Sequence, residues 1–132
     1  FFKHRYYGFD DALYAAVRLL RALSRAGVSL TEMKGAMPNL YNTPELRFEV
    51  DEDRKFAVIE EVRERLKGTG AEMSEIDGVR VNTEDGWWLL RASNTQNVLV
   101  ARAEAKSEAA LQRLIAMIND QLSASGLEKV DV

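Results

Sequence analysis

The chain has no cysteine, two prolines and a single histidine. Without cysteine there is no disulfide and no thiolate chemistry; a reducing compartment fits, and the cytoplasm is the expected location. No apolar run approaches the ~18 residues of a membrane span, and the N-terminus shows no signal-peptide pattern. Excess positive charge is missing too: net charge is −3 with a pI near 5.3. That argues against a general nucleic-acid binder and a polybasic membrane surface. A start on Phe1-Phe2, without methionine, reads as cut from something longer. What is present is ordinary globular composition, 46% hydrophobic and 30% charged in 132 residues, enough for one domain plus a piece of another.

The pattern divides the chain. An aromatic-basic cluster, Phe1 to Phe9, precedes a helix from about Asp10 to Ala26, with Asp10 or Asp11 as cap and Gly27 at the stop. Ala12, Leu13, Ala15, Ala16, Val17, Leu19, Leu20, Ala22 and Leu23 make that helix apolar around most of its circumference, which implies missing partners. Met33 to Pro44 reads as a connector, rich in turn residues. The expected domains are therefore residues 1–34, closing a preceding domain, a hinge at 35–45, and a C-terminal domain at 46–132.

Within the last, Leu46, Phe48 and Val50 alternate as a strand. Asp51 to Lys67 is a helix with Phe56, Ile59, Val62 and Leu66 on one face. Val79 and Val81 belong to a second strand, Asp85-Gly86 marks a hairpin, and Trp87 to Arg91 is a third strand. Val98 to Ala105 is a fourth, and Ser107 to about Ala124 is a helix. The fold class is α+β: β-α-β-β-β-α, a four-stranded antiparallel sheet with helices on one face, after an N-terminal helix from the previous domain.

The chemistry concentrates in Arg91-Ala92-Ser93-Asn94-Thr95, between two strands. An arginine fork matches two phosphate oxygens, and hydroxyl, carboxamide and turn N–H groups add donors. The same residues also suit a plain polar hairpin, because Ser, Asn and Thr form turns. Arg102, inside an apolar strand, either reaches the same pocket or pairs with Glu104 or another carboxylate. Acidic pairs (Asp10-Asp11, Glu60-Glu61, Glu84-Asp85) read as caps, helix faces and turns. Of Trp87 and Trp88, alternation sends one to the core and leaves one partly exposed. Phe1, Phe2, Tyr6, Tyr7 and Phe9 suit packing against a missing domain better than base stacking in an acidic chain.

"RASNTQNVLVARAEA" resembles the phosphate-binding loop of the α-D-phosphohexomutases, in particular the bacterial phosphomannomutase/phosphoglucomutase branch, where Arg-x-Ser-Asn-Thr-x-Pro precedes a strand with a second arginine. "FFKHRYYGFDDALYAAVRLL" resembles the segment closing that family's third domain, "YNTPELR" the hinge into the fourth, and "EDGWWLLRASNT" is also typical. The resemblance implies a TATA-box-binding-protein-like C-terminal domain of an isomerase, an intramolecular phosphotransferase. That enzyme interconverts hexose 1-phosphate and hexose 6-phosphate through a hexose 1,6-bisphosphate. It implies Arg91, Ser93, Asn94 and Thr95 as phosphate ligands, with Arg102 an addition. It places no catalytic residue in this chain, puts the Mg2+ ligands in an absent domain, and makes the remaining domains of the parent its partners. Nucleic acid and membrane are not among them. Asn97 stands where the family has proline, a change that loosens the loop, and His4 stands where it has glutamate. The family's catalytic histidine would lie upstream of Phe1, so His4 does not inherit its role. No phosphoryl-donor serine, Asp-Gly-Asp cluster or sugar-reading loop is present, so the chain alone is expected to be inactive. The competing reading is a freestanding anion- or protein-binding module using the same loop.

Overall fold

The computed structural model describes residues 1–129; residues 130–132 of the expected C-terminal domain lie outside them. The described chain falls into two compact units, Phe1–Pro38 and a second beginning at Asn39.

The first unit contains α1 (Ala12–Ala26) and α2 (Leu30–Gly35). Asp11 caps α1, its carboxylate accepting the Tyr14 N–H, and Gly27 ends the helix at φ +67°. Tyr14, Arg18, Arg21 and Arg25 fall on one stripe of α1. The N-terminal aromatics fold onto that stripe: Tyr6 stacks on Tyr14 at 4.1 Å between centroids, and Arg18 lies 5.1 Å from the Phe2 ring. Phe2 and Tyr6 thus find partners on α1. The apolar remainder of α1 buries no side chain, and Leu13 is 82% exposed. Ser29 and Glu32 form a reciprocal capping box at α2, satisfying donors at the helix start.

The second unit is a sheet covered on one face by two helices. Its strands are β1 (Tyr41–Asn42), β2 (Leu46–Glu49), β3 (Glu72–Ser74), β4 (Val79–Asn82), β5 (Gly86–Ala92) and β6 (Val98–Ala105). All pairs are antiparallel: β3, β4, β5 and β6 lie side by side, and β1 and β2 share the outer edge of β6. The sheet therefore has six strands where the pattern indicates four. The extra two are short. Tyr41–Asn42 was expected in the connector, and Glu72–Ser74 is a three-residue edge.

Pro44 explains why β1 and β2 are separate, since it cannot continue a hydrogen-bonded ladder. Asn42 pairs with Glu104 and Leu46 with Ala101, so one extra residue is accommodated between them. Buried Thr43 repairs the break. Its N–H donates to the Ala103 carbonyl and its Oγ1 accepts the Ala103 N–H at 3.1 Å.

Between the sheet and helices α3 (Glu52–Lys67) and α4 (Glu108–Ala124) lies one core. Trp88, Leu90 and Leu99 from the sheet meet Val58 and Val62 of α3 and Leu114, Ile118 and Leu122 of α4. Trp88 is buried and Trp87 partly exposed, as alternation requires. One helix position departs from expectation. Phe56 is 51% exposed, and the buried stripe of α3 runs Lys55, Val58, Ile59, Val62 and Leu66. Helical spacing puts position 55, not 56, in line with 58, 59, 62 and 66. Arg54 and Arg65 of α3 reach the end of α4, donating to the Ser125 and Gln121 carbonyls at 3.1 and 3.0 Å. They supply the positive charge that α4's own last turn lacks.

Candidate anion-binding site

β5 and β6 place Arg91. Residues of β5 alternate: Trp88, Leu90 and Ala92 face the helices, while Trp87, Leu89 and Arg91 face the other way. Arg91 opposes Val100 and Arg102 opposes Leu89. The two arginines are thus diagonal neighbours on the helix-free face of adjacent strands, with backbones about 7–8 Å apart. Arg47 of β2 opposes Val100 from the other side. Three guanidinium-bearing positions therefore surround Val100 at the end of the sheet where the turn begins.

Their states differ. Arg47 is engaged by Glu45 at 3.1 Å and by the Gln96 side-chain carbonyl. Among the described residues the Arg91 side chain has only a long contact, Nη1 to Asp77 Oδ2 at 3.8 Å, beyond hydrogen-bond reach. Arg102 is exposed, and its side chain has no ion pair or hydrogen bond among the described residues. The pairing of Arg102 with Glu104 does not occur; Glu104 accepts the Trp87 indole N–H at 3.1 Å instead. Trp87 is not open for stacking either, because Arg80 covers its ring at 4.6 Å.

The turn joining β5 to β6 runs through Ser93, Asn94, Thr95, Gln96 and Asn97, closed by Ser93 N–H to the Val98 carbonyl at 3.0 Å. Ser93 is buried, and its Oγ accepts the N–H groups of Gln96 at 3.2 Å and, more weakly, Thr95 at 3.4 Å. This corrects one expectation: those two backbone donors point at Ser93, not into a ligand concavity. The Ser93 hydroxyl proton, the Asn94 and Thr95 side chains and the N–H groups of Asn94 and Asn97 are what the turn leaves to offer. Asn94 and Thr95 form its exposed tip.

Asp77 and Gly78 lie against the start of this turn. Gly78 has φ +75°, and a Cβ there would meet the Leu90 carbonyl oxygen at 2.4 Å and Arg91 Cβ at 2.5 Å. Only glycine lets the chain pass so near the Arg91 backbone.

Two cavities flank the turn. One of about 150 Å3 borders Asn94, Asp77, Gly78 and Ala92, against α3. Another of about 510 Å3 borders Asn97 and Val98 and is lined by Glu49, Asp51 and Arg54. The second does not suit an anion: its cation is committed to Glu61 and the Ser125 carbonyl, and two carboxylates face it. Arg91 and Arg102 lie on the open sheet surface instead. No cluster of three or more metal-ligating side chains occurs among the described residues, so these residues do not fit a Mg2+ site. No described helix is long and apolar enough to cross a membrane.

The expected ligands Arg91, Ser93, Asn94, Thr95 and Arg102 thus gather at one end of the sheet. Arg47 and Lys55, which touch the same turn, were not anticipated. Position 55 carries a legible signal, a lysine on an otherwise apolar helical stripe. Arg47 reads simply as the polar half of an alternating strand.

Comparison with known proteins locates these features. Residues 45–121 match the family model described as phosphoglucomutase/phosphomannomutase, C-terminal domain. Over 122 residues the chain is 44% identical to a phosphomannomutase/phosphoglucomutase of Pseudomonas putida, covering 92% of this chain and 26% of that protein. It is 45% identical over 116 residues to a phosphoglucomutase of Neisseria gonorrhoeae, covering 86% and 25% respectively. A crystal structure of a phosphoglucomutase/phosphomannomutase family protein from Burkholderia thailandensis superposes with a TM-score of 0.81 at 40% identity, covering 98% of this chain and 27% of that one. The chain spans about a quarter of the length of these relatives.

Proposed function

The chain belongs to the phosphoglucomutase/phosphomannomutase family, residues 45–121 forming the family's C-terminal domain, and we propose that this domain grips one phosphate group of a hexose phosphate while other domains react at the far end of the sugar. The reaction served is the exchange of hexose 1-phosphate and hexose 6-phosphate through a bisphosphorylated sugar. The observation that carries the reading is the pair Arg91 and Arg102, on a helix-free face beside a turn with buried Ser93 and exposed Asn94 and Thr95, the Arg102 side chain unpaired among the described residues and Arg91 weakly held.

In this reading Arg91 and Arg102 donate to the phosphate oxygens, and the Ser93 hydroxyl, the Asn94 amide and Thr95 complete the set. None of them touches the reacting atoms. Binding energy collected at a remote phosphate holds the sugar in line for transfer elsewhere. A hexose bisphosphate presents a like group at each end, so the same grip serves both of its orientations. The metal belongs to residues outside this chain, and no step here passes through it. Residues 1–34 are proposed as the closing segment of the preceding domain.

Amide shifts of the 132-residue chain test the site directly. Glucose 1,6-bisphosphate should move residues 91–95, and Arg91→Ala should abolish that response. In the full-length enzyme Arg91→Ala should lower kcat/KM about ten- to a hundredfold, the effect of one charge-assisted contact. Unchanged kcat/KM would remove Arg91 from the mechanism. The isolated chain should show no mutase turnover.

A further inference from the structure

Lys55 occupies a core position with a charged side chain. It is 1% exposed, yet it sits on the stripe of Val58, Ile59, Val62 and Leu66. Burying an ammonium is expensive unless it is paired and hydrogen-bonded. Here Nζ donates to Glu52 Oε2 at 2.8 Å and to the Gln96 main-chain carbonyl at 3.1 Å, 41 residues away in sequence. Glu52 is itself mostly exposed, so it offers the ammonium a wet partner. The Gln96 carbonyl is the inner partner, and it belongs to the candidate anion-binding turn.

Gln96 and Asn97 form the fixed leg of that turn. The Gln96 N–H goes to Ser93 Oγ, its side chain to Arg47, and the Asn97 carbonyl accepts the Val50 N–H at 3.0 Å. These partners outside the turn all come from residues 47–55, in β2, the link after it and the first turn of α3. In a planar trans peptide the C=O and the following N–H point in opposite directions. A Gln96 carbonyl drawn inward to Lys55 therefore turns the Asn97 N–H outward. Asn97 has no ring to fix its own backbone; a buried cation orients the peptide that precedes it.

We infer that Lys55 is a positioning residue for the anion site: it sets the Gln96–Asn97 peptide from beneath and places a positive charge under the turn without touching the ligand. The inference rests on the phosphate-binding reading above. It goes further in naming a residue on another element that the site depends on.

The test uses the 15N-labelled 132-residue chain, titrated with inorganic phosphate and with glucose 1,6-bisphosphate. Lys55→Met, close in shape, should weaken binding about tenfold by loosening a preorganised turn. It should also shift the ligand-free Asn97 amide nitrogen. Its melting temperature should not fall in proportion, because apolar replacement of a buried ion is often neutral or stabilising. Val58→Ala is the packing control, and it should lose stability while keeping affinity. A folded Lys55→Met with wild-type affinity and an unmoved Asn97 resonance overturns the inference. Should Lys55→Met not fold, Glu52→Gln, at an exposed residue, decides. About a threefold loss of affinity supports the role, and none overturns it. Wild-type binding that is absent, or that survives Arg91→Ala, overturns the phosphate reading and the Lys55 role together, an outcome distinct from failure at Lys55 alone.

Discussion

Gly78→Ala tests whether the Asp77-Gly78 turn supports Arg91 or merely precedes β4. Two costs are separable. A left-handed backbone costs an alanine roughly 1–2 kcal/mol, offset by about 0.4–1 kcal/mol from a less flexible unfolded chain. Gly70 isolates this part: its φ is +71° and a Cβ there meets nothing within 4 Å. Gly70→Ala should therefore cost between nothing and about 1.6 kcal/mol. Gly78 has nearly the same φ, but its Cβ would fall 2.4 Å from the Leu90 oxygen, 2.5 Å from Arg91 Cβ and 2.6 Å from Arg91 Cα. These are backbone-anchored atoms, so β4 and β5 must separate locally, an overpacking cost of about 1–3 kcal/mol more. The assay is urea unfolding followed by tryptophan emission. Trp87 and Trp88 are the only tryptophans and both lie in β5, so the signal reports the second unit alone. Gly78→Ala should lose about 1–4.6 kcal/mol, about 1–3 kcal/mol more than Gly70→Ala. Because the displaced atoms belong to Arg91, Gly78→Ala should also weaken phosphate binding while Gly70→Ala leaves it intact. Equal losses at the two glycines would refute the claimed close approach.

Other outcomes follow from single contacts. Asp77→Asn removes the carboxylate nearest Arg91 and should tighten inorganic phosphate binding a few-fold, by about 0.5–1 kcal/mol; weaker binding in a calorimetric titration would show Asp77 to be an orienting partner instead. Thr43→Val keeps shape but leaves the buried Ala103 N–H without its acceptor, and should cost about 1–3 kcal/mol in urea unfolding. The Arg54 guanidinium, then the Ser125 hydroxyl, hold the Glu61 carboxyl down at about 2, from an ordinary 4.5. A carboxylate with a lowered folded-state pKa contributes stability that is present above pH 4.5 and lost as pH falls toward 2. Acid titration of the native tryptophan signal should accordingly be flatter for Glu61→Gln across that window, and superimposable curves would contradict the pairing.

How much of this was legible in the sequence depends on the range of the interaction. Alternation in Trp87-Trp88-Leu89-Leu90-Arg91 assigned each side chain to a face, because a strand's period is fixed by its own backbone. The periodicity of α4, Leu111 through Leu122, was equally local. The short strands were hidden for the opposite reason. Tyr41–Asn42 is bracketed by Asn39 and Pro44, and Glu72–Ser74 by Gly70 and Gly78, so turn formers dominate each window and only the partner strand makes them extended. At α3 the apolar identity of Phe56 outweighed its angular position. The reason for a lysine at 55 lies in Gln96, which no local window contains. Arg102 illustrates the same limit: its candidate partner Glu104 is two residues away in sequence but is claimed by Trp87 across the ladder.

Ser93 shows why the turn suits an anion rather than being polar in general. A hydroxyl has one donor proton and two acceptor lone pairs. The Gln96 and Thr95 N–H groups take up the acceptor side of Oγ, so donation is what remains. The guanidiniums of Arg91 and Arg102 have no acceptor at all. A neutral hydroxyl-rich ligand needs acceptors as well as donors, and this arrangement offers it few, the Asn94 and Thr95 oxygens at the exposed tip. An oxyanion needs donors only. Asp77, 65% exposed at its side chain, is the carboxylate nearest Arg91 among the described residues, and its exposure lets it swing away at little cost. The selectivity proposed for the site therefore lies in which lone pairs the turn has already used up, more than in the inventory of residues that line it.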